Sequence, residues 1–197
     1  GAAVAAGGSE HARSHFPTLR FRTVHKLDFW ARPTRIVKWM LRCHDRDAPL
    51  RWPRVIAGRY GPRIDVEHWT TQPIEPEAVP DALWPSPEID LAVFKRSSAL
   101  FRYLAACPIT TTQLYRSCGA RIEGYFCLAR VPGAARIIDA WTPSPESMDW
   151  AALYASAYRQ AASDPEVCEV VTLAGIDRAT RGLERIGSGD ARRSIYA

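Results

Sequence analysis

Two apolar runs dominate the pattern of hydrophobic and polar positions. Gly124-Tyr-Phe-Cys-Leu-Ala-Arg-Val131 is nearly continuous, and Ala135-Arg-Ile-Ile-Asp-Ala-Trp141 resumes it after Pro132-Gly133. Two β-prone runs joined by a Pro/Gly turn predict a hairpin. The first is apolar on both faces, which predicts a central, covered strand. Further on, Trp150, Leu153, Tyr154, Ala157 and Ala161 share one stripe of a 3.6-residue period. They predict a helix from Ser144 or Ser147 to about Ser163, stopped by Asp164-Pro165. Cys168 to Ala174 reads as a strand, Arg178 to Ile186 as a helix closed by Gly187, and Arg192 to Tyr196 as a last strand. Before the hairpin, Lys95 to Ala106 reads as a helix and Thr110 to Cys118 as a β-branched strand. This order predicts a mixed α/β (α+β) fold with helices packed on a sheet.

The first half is less regular. Ser9 to Pro17 has the caps of a short helix, and Leu19, Phe21 and Val24 to Trp30 read as one or two strands. Pro33 is expected as the first residue of a second helix. In it Ile36, Val37, Met40 and Leu41 oppose Arg35, Lys38 and Arg42, a basic amphipathic pattern. From Asp47 to Pro87 prolines exclude long helices and central strands. A small hairpin around Gly61-Pro62, from Arg54 to Trp69, fits that stretch. The main internal boundary is expected in a Pro-rich linker at residues 71–87, separating residues 1–70 from residues 88–197.

Composition narrows the class. In 197 residues, 47% are hydrophobic and 24% charged, as in ordinary globular proteins. No apolar run approaches the roughly 20 residues of a transmembrane helix. The opening lacks the basic region of a signal peptide, and lacking Met it is expected to be a fragment or processed. The net charge is +5, but Arg32 to Arg63 holds a basic surplus opposed only by Asp45 and Asp47. That surplus suits an anionic partner or a solvated face. No recognised nucleic-acid motif accompanies it. Five widely spaced cysteines without a CxxC pair suit a reducing, cytoplasmic setting.

These residues resemble the GCN5-related N-acetyltransferase (GNAT) superfamily in a divergent bacterial form. The resemblance rests on the two hairpin runs, the helix around Trp150, Cys168-Glu-Val-Val-Thr-Leu173 and the helix ending Leu183-Glu-Arg-Ile-Gly187, within residues 88–197. It implies a mostly antiparallel central sheet flanked by helices. It also implies transfer of an acyl group from acetyl-CoA or another acyl-CoA to a small-molecule or peptide amine. Ala6-Gly-Gly-Ser-Glu-His-Ala-Arg13, Leu19-Arg-Phe21 and Leu27-Asp-Phe-Trp-Ala-Arg-Pro33 resemble the end of a preceding lobe of the same kind, which implies a missing N-terminal lobe. By the resemblance, the turn holding Trp141, Thr142, Ser144 and Ser147 is where the coenzyme pyrophosphate would meet a helix N-terminus.

That turn reads Trp141-Thr-Pro-Ser-Pro-Glu-Ser-Met-Asp149, without Gly or Arg. Two prolines remove amide donors, Glu146 and Asp149 add negative charge, and Ser144 and Ser147 are expected as N-caps. The helix after the fifth strand, Ile176 to Ile186, has no tyrosine to serve as acid toward a thiolate. The catalytic candidates are Asp139, as a general base or as a structural acceptor of Arg or backbone hydrogen bonds, and Tyr154, as a general acid or a core residue. His11 and His15 lack an evident third ligand, so no metal site is expected. Two outcomes remain open. A V-shaped opening between Ala135–Trp141 and Cys168–Ala174 with free amides at its mouth suits an enzyme. A gap filled by Trp141 or closed by prolines suits a degenerate lobe that packs or binds a partner.

Overall fold

The computed structural model describes residues 26–42, 68–85, 96–119, 122–174, 177–186, 189–190 and 195–196. The fold is mixed α+β, a mostly antiparallel sheet with helices on it. Its strands are β1 (Lys26–Pro33), β2 (Thr70–Pro73), β3 (Thr111–Cys118), β4 (Glu123–Val131), β5 (Ala134–Trp141), β6 (Glu169–Ala174), β7 (Gly189–Asp190) and β8 (Ile195–Tyr196). Its helices are α1 (Ile36–Arg42), α2 (Ser98–Ala105), α3 (Ser147–Ala162) and α4 (Asp177–Arg185), with 3-10 turns at Pro76–Ala78 and Asp81–Leu83. Among the described residues the strand order is β2-β3-β4-β5-β6-β1-β7, with β8 also on β1. Among the described residues only β5 and β6 run parallel. No described helix is long and apolar enough to cross a membrane.

The expected hairpin is β4–β5, turning at Pro132-Gly133. Gly133 has φ 80°, a left-handed conformation that glycine adopts without the steric cost of a Cβ. Gly124 to Ala129 are all buried, so β4 is the central strand its composition predicts. The stripe Trp150, Leu153, Tyr154, Ala157 and Ala161 is buried along α3, which packs on the sheet face carrying Gly124. On the opposite face, Trp84, Phe101 and Tyr125 form an aromatic cluster between the 3-10 turns, α2 and β4. Ser97 starts α2 as its N-cap, accepting from the Leu100 amide at 3.3 Å.

Three expectations need correction. Pro33 does not open a helix. It ends β1, opposite Glu169, where its missing N–H is tolerated, and α1 starts at Ile36 after the Thr34 and Arg35 amides bond the Cys168 carbonyl. Ser144 and Ser147 do not cap α3. The N-cap position is Glu146, with no side-chain cap bond, because both serines have other partners. The helix before β3 is shorter than Lys95 to Ala106, since Ser97 fixes its start.

The residues expected as a linker and as an earlier unit take part in this sheet. Thr70–Pro73 forms the strand β2 beside β3, and Val79 and Leu83 enter the core. Lys26–Pro33 pairs with β6. The expected helix at Ser9–Pro17, His11 and His15, and most of the expected hairpin from Arg54 to Trp69 lie outside the described residues.

Candidate functional site

The parallel pairing of β5 and β6 runs from Ala134↔Glu169 to Ile137↔Thr172 and stops there among the described residues, although β5 continues to Trp141. At that point the Thr172 hydroxyl donates to the Ile137 carbonyl at 3.0 Å, satisfying the group where the ladder ends. A second irregularity coincides with it. Leu128 pairs Ile137 but Cys127 pairs Asp139, so Ile138 is an extra residue on β5. Directly paired residues share a sheet face. The bulge therefore turns Asp139 to the face of Cys127 and Tyr125, opposite the one that plain alternation would give it.

On that face Asp139 is committed. Arg96 grips it with Nε to Oδ2 at 3.2 Å and a terminal nitrogen to Oδ1 at 3.0 Å, and the Tyr125 hydroxyl donates to Oδ2 at 3.0 Å. Three of its roughly four lone-pair sites are thus filled. This is the Arg-bonded carboxylate that the sequence reading set against a general base. Burial, then the Asp139 charge and hydrogen bond, push the Tyr125 phenol far above its usual range. Burial, then the Asp139 charge, push the Cys127 thiol up to about 12. Tyr154, the other catalytic candidate, lies in the α3 core against Trp150, and burial likewise raises its phenol. It lines a crevice with Trp30, Tyr158 and Thr172 that has room for about one water.

Trp141 is only 8% exposed and meets Trp150 edge-on at 5.7 Å between centroids. The Arg178 guanidinium lies 5.1 Å from the Trp141 ring and 5.7 Å from the Trp150 ring. Because α4 leaves the end of β6 and Trp141 ends β5, this stack ties the two diverging ends together.

The turn from Thr142 to α3 is equally occupied. Thr142, fully buried, donates its hydroxyl to the Glu123 carbonyl at 3.1 Å. The Ser144 hydroxyl donates to Asp149 and accepts from the Glu146 amide, while the Trp150 indole donates to the Ser144 carbonyl at 2.9 Å. The Ser147 hydroxyl accepts from Arg185 at 3.0 Å, which lays α4 against the start of α3. A Cβ on Gly182 would sit 2.8 Å from Trp150 Cβ and 2.9 Å from the Ala151 nitrogen, so the two helices approach as closely as a glycine allows.

These residues do not fit a coenzyme pyrophosphate. The Ser144, Glu146, Asp149 and Trp150 amides already have acceptors, and Pro143 and Pro145 have no N–H. Two carboxylates, Glu146 and Asp149, stand at the start of α3, where they oppose binding of an anion at the helix N-terminus. Among the described residues no three His, Cys, Asp or Glu side chains cluster to hold a metal.

Arg96, Tyr125 and Arg178 were not read from the sequence as site residues. A register count would have placed Tyr125 near the end of β5, but the bulge that joins it to Asp139 has no sequence mark. Arg178 follows a strand end by a few residues, a position whose neighbours depend on which strand lies alongside. No protein-family model and no curated protein matches this chain.

Proposed function

We propose that this chain is a GNAT-type lobe whose acyl-donor cleft is closed by its own side chains, and that it serves as a structural or partner-binding module. The observation that carries this reading is Trp141, buried at the end of β5 against Trp150 and beneath Arg178 of α4, the helix that follows β6 in the chain. The partners already held by the Thr142 and Ser144 hydroxyls and by the Ser144 and Glu146 amides support it further. An upstream lobe of the same kind is a candidate partner for such a module on the resemblance of residues 6–21, since Lys26–Pro33 pairs with β6 in this sheet. A cytoplasmic setting belongs to the same proposal and rests on Cys107, Cys118, Cys127 and Cys168 being free thiols. Titration calorimetry with acetyl-CoA at millimolar concentration is the test. No saturable heat is expected, and a saturable isotherm would overturn the closed-cleft reading.

The second reading is an N-acyltransferase acting from acyl-CoA on an amine. The fork itself and the Arg96–Asp139–Tyr125 cluster on its bulged strand favour it. Thiol release from acetyl-CoA in the presence of a panel of polyamines and peptides is its assay. Release that depends on both the amine and Asp139 would replace the first reading with this one.

A further inference from the structure

We propose that the crevice where the β5–β6 ladder ends is a binding site for a single internal water, held by the Trp30 indole, the Tyr154 phenol and the Thr172 hydroxyl. Trp30, on β1, is only 6% exposed, and its Nε1–H has no hydrogen-bond partner. A buried donor left unpaired is costly, and folded proteins pair such groups with a protein acceptor or with an ordered water. Here no protein group takes the indole N–H. Trp30 lines the same crevice as Tyr154 and Thr172, and the space among them has room for about one water.

The chemistry of the lining selects that occupant. Thr172 spends its one hydroxyl hydrogen on backbone carbonyls, chiefly that of Ile137 at 3.0 Å, so it has only lone pairs left to offer. Tyr154 keeps its phenolic proton because burial disfavours the charged form, so it can donate or accept. A water accepting from Trp30, donating to Thr172 and sharing one bond with Tyr154 makes three hydrogen bonds, the usual number for a buried water. An apolar occupant would leave the Trp30 donor unpaired. A cation would meet the Arg32 guanidinium, which lines the same crevice. The pairing of β5 with β6 stops beside this point, at Ile137↔Thr172, so the water joins β1, β6 and α3 where the two strands part. This inference is independent of whether the β5–β6 fork binds acyl-CoA.

A crystal structure of the full chain, at a resolution that orders waters, tests it directly. One water within hydrogen-bond reach of Trp30 Nε1 and Thr172 Oγ1 is expected. A dry crevice, or a Trp30 indole bonded to a protein group, would overturn the proposal. In solution the Trp30 indole proton is expected to show NOE and ROE cross-peaks of opposite sign at the water frequency, the mark of a water that stays longer than the molecule takes to tumble. Tyr154→Phe removes a phenolic proton that could relay the same signal, and the cross-peaks are expected to persist in it. Their disappearance there would assign them to the phenol and overturn the proposal. Thr172→Val takes away the acceptor at nearly constant size and is expected to weaken the cross-peaks about tenfold or more. Undiminished cross-peaks in that variant would overturn the assignment of Thr172 and with it the site.

Discussion

Gly182 has no room for a methyl group, and that single fact measures how closely α4 lies on α3. In Gly182→Ala the new Cβ would press on Trp150 and the Ala151 nitrogen. Overpacking of this kind costs about 1–3 kcal/mol, against a gain of about 1 kcal/mol in helix propensity. A lower urea midpoint is therefore expected, and an unchanged one would show that α4 slides off α3 freely. Asp139→Asn leaves Arg96 facing a neutral amide, with a loss of about 2 kcal/mol expected from denaturant melts. Cys127 makes a pH-dependent contribution. Its folded pKa, about 12, lies above that of an unfolded thiol, about 8.5, so above that lower value the unfolded state sheds a proton that the folded state keeps. Stability from this source is present below about pH 8.5 and falls by about 1.4 kcal/mol per pH unit above it. Cys127→Ala is expected to flatten the alkaline decline between pH 8.5 and 10 in melts of the parent chain. At this scale the sequence offered a gap filled by Trp141 as one of two outcomes, against a V-shaped opening with free amides, and Trp141 is buried against Trp150. The sequence could not name Arg96 or Arg178, whose partners come from distant segments.

Among the elements, those with strong periodicity were legible and those set by one local device were not. The buried stripe of α3 and the two-faced apolar run of β4 follow from composition alone. The bulge at Ile138 does not, since one residue's slip in register leaves the hydrophobic count intact while changing which face Asp139 occupies. The start of α2 is another such device. Ser97→Ala should lower stability by about 1 kcal/mol through loss of the bond to the Leu100 amide, whereas Ser97→Asp should keep it. A midpoint unmoved by Ser97→Ala would mean that packing of Phe101 alone fixes the helix start. In the described part of the Pro-rich stretch, residues 68–85, the strand β2 lies at the end of the strand order, but the particular place of each proline was not legible. Pro73 and Pro33 each end a strand, where a missing donor costs little.

For the molecule as a whole, β1 is the element that the linear order of the chain conceals. It covers the edge of β6, and Arg32 donates to the Ile186 carbonyl from 154 positions away, with its guanidinium over Tyr158. Trp30, on the same strand, belongs to the common core. A chain beginning at Thr34 is therefore expected to lose cooperative melting, and a sharp transition in that truncation would show that β6 closes the sheet unaided. The pairing also constrains how the protein comes to its native state. During synthesis β1 leaves the ribosome long before β6 exists, and loop closure over such a span is entropically slow. Until then a β-prone strand waits without its partner, exposed to mispairing with neighbouring nascent chains. Pairing of β1 with β6 is thus expected late in folding, and yield in the cell should depend more on how that wait is protected than on the stability of the finished sheet.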